Sequence, residues 1–176
     1  MSNPVSVPQD FAVFYKAEHR RLLLFLRKAR SATWEDAADA MQESFIAALK
    51  CWPTIREPST WIRTTALRQL DALRARPKED VRRALRGHWA GRPDFEEELD
   101  AKEEAERVYS ALASLPARQQ EVMAWTYDGF TPIEIASILS NSRQPGEAVT
   151  AEAVRASLVL ARRKLKQMLL IDGRQA

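Results

Sequence analysis

The sequence is poor in most of the residues that carry enzyme chemistry. Its 176 residues include one cysteine, Cys51, and two histidines, which excludes an internal disulfide and a cysteine-rich zinc site. Five glycines leave no glycine-rich loop of the kind that cradles a phosphate. No apolar run approaches the about 20 residues of a membrane-spanning helix. Runs of β-branched residues are few, so little speaks for a sheet. No nucleophile–base pairing stands out, and an enzyme is the poorest fit. No cofactor and no metal are expected; Glu96, Glu97, Glu98 and Asp100 read as a solvated acidic run or a mimic of nucleic acid. The opening MSNPVSVPQD lacks the basic start and apolar core of a signal peptide. With a single cysteine, it leads to an expectation of a soluble, cytoplasmic protein.

What is present is helical periodicity and unevenly spread charge. Apolar residues make up 45% of the chain, recurring at helical rather than alternating spacing. The net charge is only +3, yet residues 1–93 hold 17 basic and 10 acidic side chains while residues 94–176 hold 10 and 14. A basic front half, an acidic middle and a basic tail helix point to contact with a polyanion at two separated places.

Along the chain, Asp10 is expected to cap a helix running to about Arg30, with Phe11, Phe14, Tyr15, Leu22, Phe25 and Leu26 on its buried side. His19 reads as a surface or rim histidine. Thr33 followed by Asp36 starts a second helix with Ala37, Met41, Phe45, Ala48 and Trp52 on one face, ended by Pro53. A third helix is expected from about Trp61 to Arg76. Pro77 then breaks the pattern, and a basic stretch with Arg82, Arg83 and Arg86 precedes an acidic one at 94–106. The fold class expected is all-α: two small helical domains, 1–76 and 105–176, joined by a linker at 77–104.

The second domain contains the most informative stretch, residues 131–166. Thr131, Pro132 and Glu134 form a capping-box signature with proline at the first helical position. Ile135, Ile138 and Leu139 share one side of the short helix that follows. Thr150 begins another helix with Glu152 in its positive first turn, and Val154, Leu158, Ala161 and Leu165 recur at helical spacing. That helix carries Arg155, Arg162, Arg163, Lys164 and Lys166. A capped helix followed by a basic helix seated on an apolar stripe is the helix-turn-helix arrangement that places a helix in a major groove. Its turn, residues 140–147, is longer than the usual three or four residues. Two amphipathic helices that merely pack together would give a similar pattern.

Both halves resemble one family. LASLPARQQEVMAWTYDGFTPIEIASIL, rejoined at VTAEAVRASLVLARRKLKQML, resembles region four of bacterial sigma-70-family factors, whose helix-turn-helix reads the −35 promoter element. DAADAMQESFIAALKCWP, followed by STWIRTTALRQLDALRAR, resembles region two, which binds core RNA polymerase and melts the −10 element. With two such regions and a linker, the chain is similar to an extracytoplasmic-function (ECF) sigma factor. The family's Asp-Leu-Val-Gln-Glu signature falls on Asp39-Ala40-Met41-Gln42-Glu43. The resemblance implies that Asp39, Gln42 and Glu43 bind core polymerase; their spacing alone puts them on one helix face opposite Met41 and Phe45.

Holding an opened strand needs cations along a groove and flat surfaces for unstacked bases. Trp52, Arg56, Trp61, Arg63, Arg68 and Arg74 supply such a set, and Arg56, Trp61, Arg63, Arg68 and Arg74 are the −10 candidates. The −35 candidates are Thr150, Glu152, Arg155, Ser157, Arg162 and Arg163. Three departures from the family pattern stand out: a short segment between Trp52 and Trp61, Ala66-Leu67-Arg68 in place of Ala-Arg-Asn, and Ser157, Val159 and Leu160 where cations are common. Fewer cations mean fewer phosphate contacts. The partners implied are core RNA polymerase, through its β′ clamp and β flap, and promoter DNA, with room for an anti-sigma factor. No membrane and no small-molecule substrate are implied. A stand-alone helix-turn-helix regulator and a degenerate sigma-like interaction module remain the alternatives.

Overall fold

The computed structural model describes residues 8–75, 99–142 and 148–172. Among the described residues there are seven α-helices and no strand, so the all-α expectation holds. The linker as far as residue 98, including Arg82, Arg83, Arg86, Glu96, Glu97 and Glu98, lies outside the described residues, as does Arg143 in the turn.

Helix α1 (Gln9–Arg30), α2 (Trp34–Cys51) and α3 (Pro58–Ala75) form the first unit, with one 3₁₀ turn at Trp52–Thr54. Helix α1 begins two residues earlier than a cap at Asp10 would place it. Its N-cap is Pro8, with no side-chain cap. Asp10 sits in the first turn instead and accepts a hydrogen bond from Trp52 Nε1 at 2.7 Å. That bond holds its carboxyl below the usual carboxylate range and places the Trp52 ring 5.1 Å from both Phe11 and Phe14. Helix α1 ends at Ser31, in the left-handed region at φ 49°.

Helix α2 starts as its sequence predicts, with the Thr33 side chain accepting from the Asp36 amide at 3.1 Å. It buries Ala37, Ala40, Met41, Ser44, Phe45 and Ala48. The Ser44 hydroxyl is satisfied within the helix, donating to the Ala40 carbonyl at 2.6 Å. Helix α3 begins at Pro58, earlier than the expected Trp61, because proline pre-sets the backbone of a first turn and needs no amide partner there.

The second unit comprises α4 (Leu99–Ala113), α5 (Ala117–Tyr127), α6 (Pro132–Asn141) and α7 (Ala151–Asp172). Helix α4 starts at Leu99, ahead of the expected 105, within the acidic stretch. Gly129, at φ 95°, turns the chain after α5, a conformation that favours glycine. Thr131 and Glu134 form both halves of the capping box at the head of α6. Thr150 caps α7 by accepting from the Ala153 amide at 3.1 Å. Across the enlarged turn, Ser140 Oγ accepts from the Val149 amide at 2.9 Å and donates to the Ala136 carbonyl at 2.8 Å. One hydroxyl therefore ties the two ends of the turn together.

The two units do not stand apart as separate bundles. Helix α5 packs along α1, and one buried cluster runs from Phe11, Phe25 and Leu70 through Trp125 to Ile135, Val154 and Leu158. Phe25 and Trp125 are both fully buried. Polar ties edge the seam. Gln120 Nε2 donates to Ser31 Oγ at 2.7 Å, Arg30 pairs with Glu121 at 3.2 Å, and Arg27 pairs with Glu106 at 3.1 Å. The Arg27 guanidinium also lies over the rings of Trp34 and Tyr109, 3.9 and 4.3 Å from their centroids.

Candidate functional surfaces

The α2 face is built as its spacing requires. Met41 and Phe45 turn into the core, which leaves Gln42 and Glu43 exposed and Asp39 half-buried on the opposite side. Ile46, 50% exposed, adds an apolar side chain one turn further along. The result is an acidic and amide row beside an exposed aliphatic, suited to a basic or polar protein surface.

The α3 candidates divide. Arg56, before the helix, and Arg68, on it, are exposed. Arg68 lines a cleft of about 480 Å³ between α3 and α6, opposite Glu134 and Ser137. Trp61 is half-buried against the core. Arg74 is exposed, but its guanidinium donates to the carbonyls of Arg30 and Ser31 at 2.9 and 3.3 Å. It therefore satisfies the C-terminal end of α1, where a cation is favoured.

Arg63 is the clearest correction. Expected to face an opened strand, it is 1% exposed. Its place on α3 between Ile62, Ala66 and Leu67, all buried, turns it inward. Nε donates to Asp128 Oδ2 at 2.7 Å and Nη1 to the Ser59 carbonyl at 3.0 Å. Glu18 Oε2 lies 2.8 Å from Nη1, off the line of a hydrogen bond. The rings of Phe25 and Phe130 flank the guanidinium at 5.7 Å.

Around this arginine lies a charged group that the sequence did not single out. Glu18 also pairs with Arg21 at 3.1 Å, and Lys28 Nζ lies 3.9 Å from Asp128 Oδ1 and 3.4 Å above the Tyr127 ring. Burial lowers the Lys28 amine to about 8, against the opposing attraction of Asp128. The only sequence signal was an acid, Glu18, on the same helical stripe as Phe11, Phe14, Leu22 and Phe25. Asp128 gave none, since an aspartate before a glycine reads as an ordinary turn.

On α7, Val154, Leu158 and Ala161 are buried and Arg155, Arg162 and Arg163 are exposed. Glu152 pairs with Arg155 at 3.1 Å; its carboxyl is held below the usual range, first by its own backbone amide. Ser157 is half-buried, and Val159 and Leu160 are 63% and 52% exposed. Lys164 donates to the Ser114 carbonyl at 2.6 Å, tying α7 to the end of α4.

These helices can now be set beside known proteins. Residues 14–79 match the family described as sigma-70 region 2. The match takes in α1 from Phe14, all of α2 and all of α3. The first unit is thus a sigma region 2 domain, and the α2 row of Asp39, Gln42 and Glu43 belongs to it. No curated protein matches the chain.

Among the described residues, no group of histidine, cysteine, aspartate and glutamate side chains is arranged to hold a metal ion. No helix among them is long and apolar enough to cross a membrane.

Proposed function

We propose that this chain is an ECF-type sigma factor that directs core RNA polymerase to specific promoters. The observation that carries the reading is the region 2 match across α1–α3, with Gln42 and Glu43 exposed on its α2. In this reading, Asp39, Gln42 and Glu43 dock on the polymerase β′ clamp, and the second unit engages the β flap and the −35 element. The helix-turn-helix pair α6–α7 supports the −35 role: α7 is capped, seated by an apolar stripe and exposes Arg155, Arg162 and Arg163. Arg155 and Glu152 lie in the first turns, where base edges are reached, and the later arginines hold phosphates. Exposed Arg56 and Arg68 serve the opened −10 strand. The two domains are those expected at 1–76 and 105–176, the second extended forward to Leu99 by the earlier start of α4, with an anti-sigma factor as a further partner and the cytoplasm as the place of action.

Run-off transcription on genomic fragments, with core polymerase alone and with this chain added, tests the proposal. Defined transcripts should appear only with the chain present, and the chain should co-migrate with core polymerase at 1:1. A chain that forms no complex with core polymerase is not a sigma factor.

A further inference from the structure

Helix α7 carries an aliphatic side chain in the middle of its charged, outward face. Val154, Leu158 and Ala161 are buried, so the opposite side of the helix is the one left to solvent. Along that side Glu152, Arg155, Ala156, Val159, Arg162 and Arg163 are all exposed. Helical spacing makes them one patch. Val159 stands four residues after Arg155 and three after Ala156, and three and four before Arg162 and Arg163. It is 63% exposed, so it buries little apolar area within its own chain. A β-branched residue also has a lower helix propensity than alanine. The fold gains little from a valine here, and the reason for it lies in what the patch touches.

The flanking arginines favour a polyanion. An aliphatic group set against phosphate would only strip water from the charge. In the major groove, the apolar group that base pairs present is the C5-methyl of thymine, which small aliphatic side chains contact. We propose that Val159, with Ala156 beside it, reads thymine methyl groups in the upstream promoter element. Its place is between the base contacts of Arg155 and the phosphate contacts of Arg162 and Arg163. This deepens the proposed function and rests on α7 as the helix that enters the −35 element.

The test replaces each thymine of that element, on either strand, with deoxyuridine, which removes the methyl and keeps every hydrogen-bonding group. It uses holoenzyme assembled from the full chain and core polymerase, on a promoter mapped by run-off transcription, with affinity read by competition. At one or two positions uracil should weaken binding about fourfold, the loss of one buried methyl group. Val159→Ala should weaken binding to the thymine promoter and make those positions indifferent to uracil. Val159→Arg exchanges the methyl contact for a phosphate one: uracil becomes neutral and the salt slope steepens by about 1. An element with no thymine, or one whose every thymine tolerates uracil, overturns the proposal. A uracil effect of undiminished size in Val159→Ala does so too.

The replacement alters the DNA and not the protein, so its result with the unaltered chain stands whatever the variants do to folding. A holoenzyme that initiates yet is indifferent to uracil keeps the sigma assignment and loses the methyl reading. A chain that forms no complex with core polymerase loses the sigma assignment. The same replacement, in duplexes that the chain alone selects from a random pool, then decides the methyl reading.

Discussion

Phe25 and Trp125 meet edge to face across the seam, ring centroids 4.8 Å apart, in a cluster that also takes in Phe130. One ring belongs to the region 2 domain and the other to α5, 100 positions away in sequence. A fully buried aromatic pair of this geometry adds to the transfer energy of its area. The two units therefore share a core in which neither aromatic is replaceable from its own side.

The first prediction follows from that sharing. Phe25→Ala and Trp125→Ala should each lower stability by about 3–5 kcal/mol, the range for truncating a buried aromatic. Both halves should melt together in urea, as followed by tryptophan fluorescence and by helical circular dichroism. Two resolved transitions in the unaltered chain would show that the seam contributes little.

The second concerns Arg63 and Asp128. Removing either partner alone leaves a buried charge undercompensated, at a cost of about 3–5 kcal/mol. Arg63→Met with Asp128→Leu should cost less than the two single changes added together, since the paired desolvation disappears with the charges. Equilibrium unfolding of the four chains gives the coupling. Strict additivity would mean the 2.7 Å contact carries no energy.

Local signals in the sequence were legible, and signals that depend on distant partners were not. Thr33, Thr131 with Glu134, and Thr150 each cap a helix as their neighbours within four residues dictate. The periodic stripes of α2 and α7 likewise placed Met41, Phe45, Val154 and Leu158 inward. Asp10 was misread because its partner, Trp52, lies 42 residues on, and Arg63 because Asp128 lies 65 residues on. An arginine on a helix is solvated unless something far away neutralises it. Nothing within one helical turn of Arg63 announced that neutralising group. The packing of the two units on each other was not legible for the same reason: α1 and α5 each carry an apolar face that looks self-sufficient until Phe25 and Trp125 are seen together.

The third prediction is a pH dependence set by Lys28. Its amine releases its proton near 8 in the folded chain against an ordinary 10.5. Between those values the unfolded chain holds more protons than the folded one, so stability should rise with pH from about 8 toward 10. Below 8 both states are charged and the burial penalty is fully present. Tyr109, pushed up by its own burial, opposes the trend only as pH nears its ordinary 10.0. Urea midpoints at pH 7, 8.5 and 9.5 should climb in the unaltered chain and climb less in Lys28→Met. Parallel curves for the two chains would remove Lys28 as the cause.

The fourth prediction separates a docking row from a structural one. Gln42 and Glu43 are exposed on the side of α2 opposite Met41 and Phe45, so neither contributes to the buried cluster. Surface substitutions of this kind usually change stability by less than about 0.5 kcal/mol. Glu43→Lys should therefore leave the urea midpoint nearly unchanged. Its effect on core polymerase should be large, because reversing a charge inside a complementary interface sets like charges together and costs several kcal/mol. At about 1.4 kcal/mol per tenfold, a hundredfold or greater loss of affinity is expected. Ile46→Ser, on the same face and half exposed, should weaken binding less. A chain in which Glu43→Lys destabilises the fold, or binds polymerase as the unaltered chain does, would move the docking row off this face of α2.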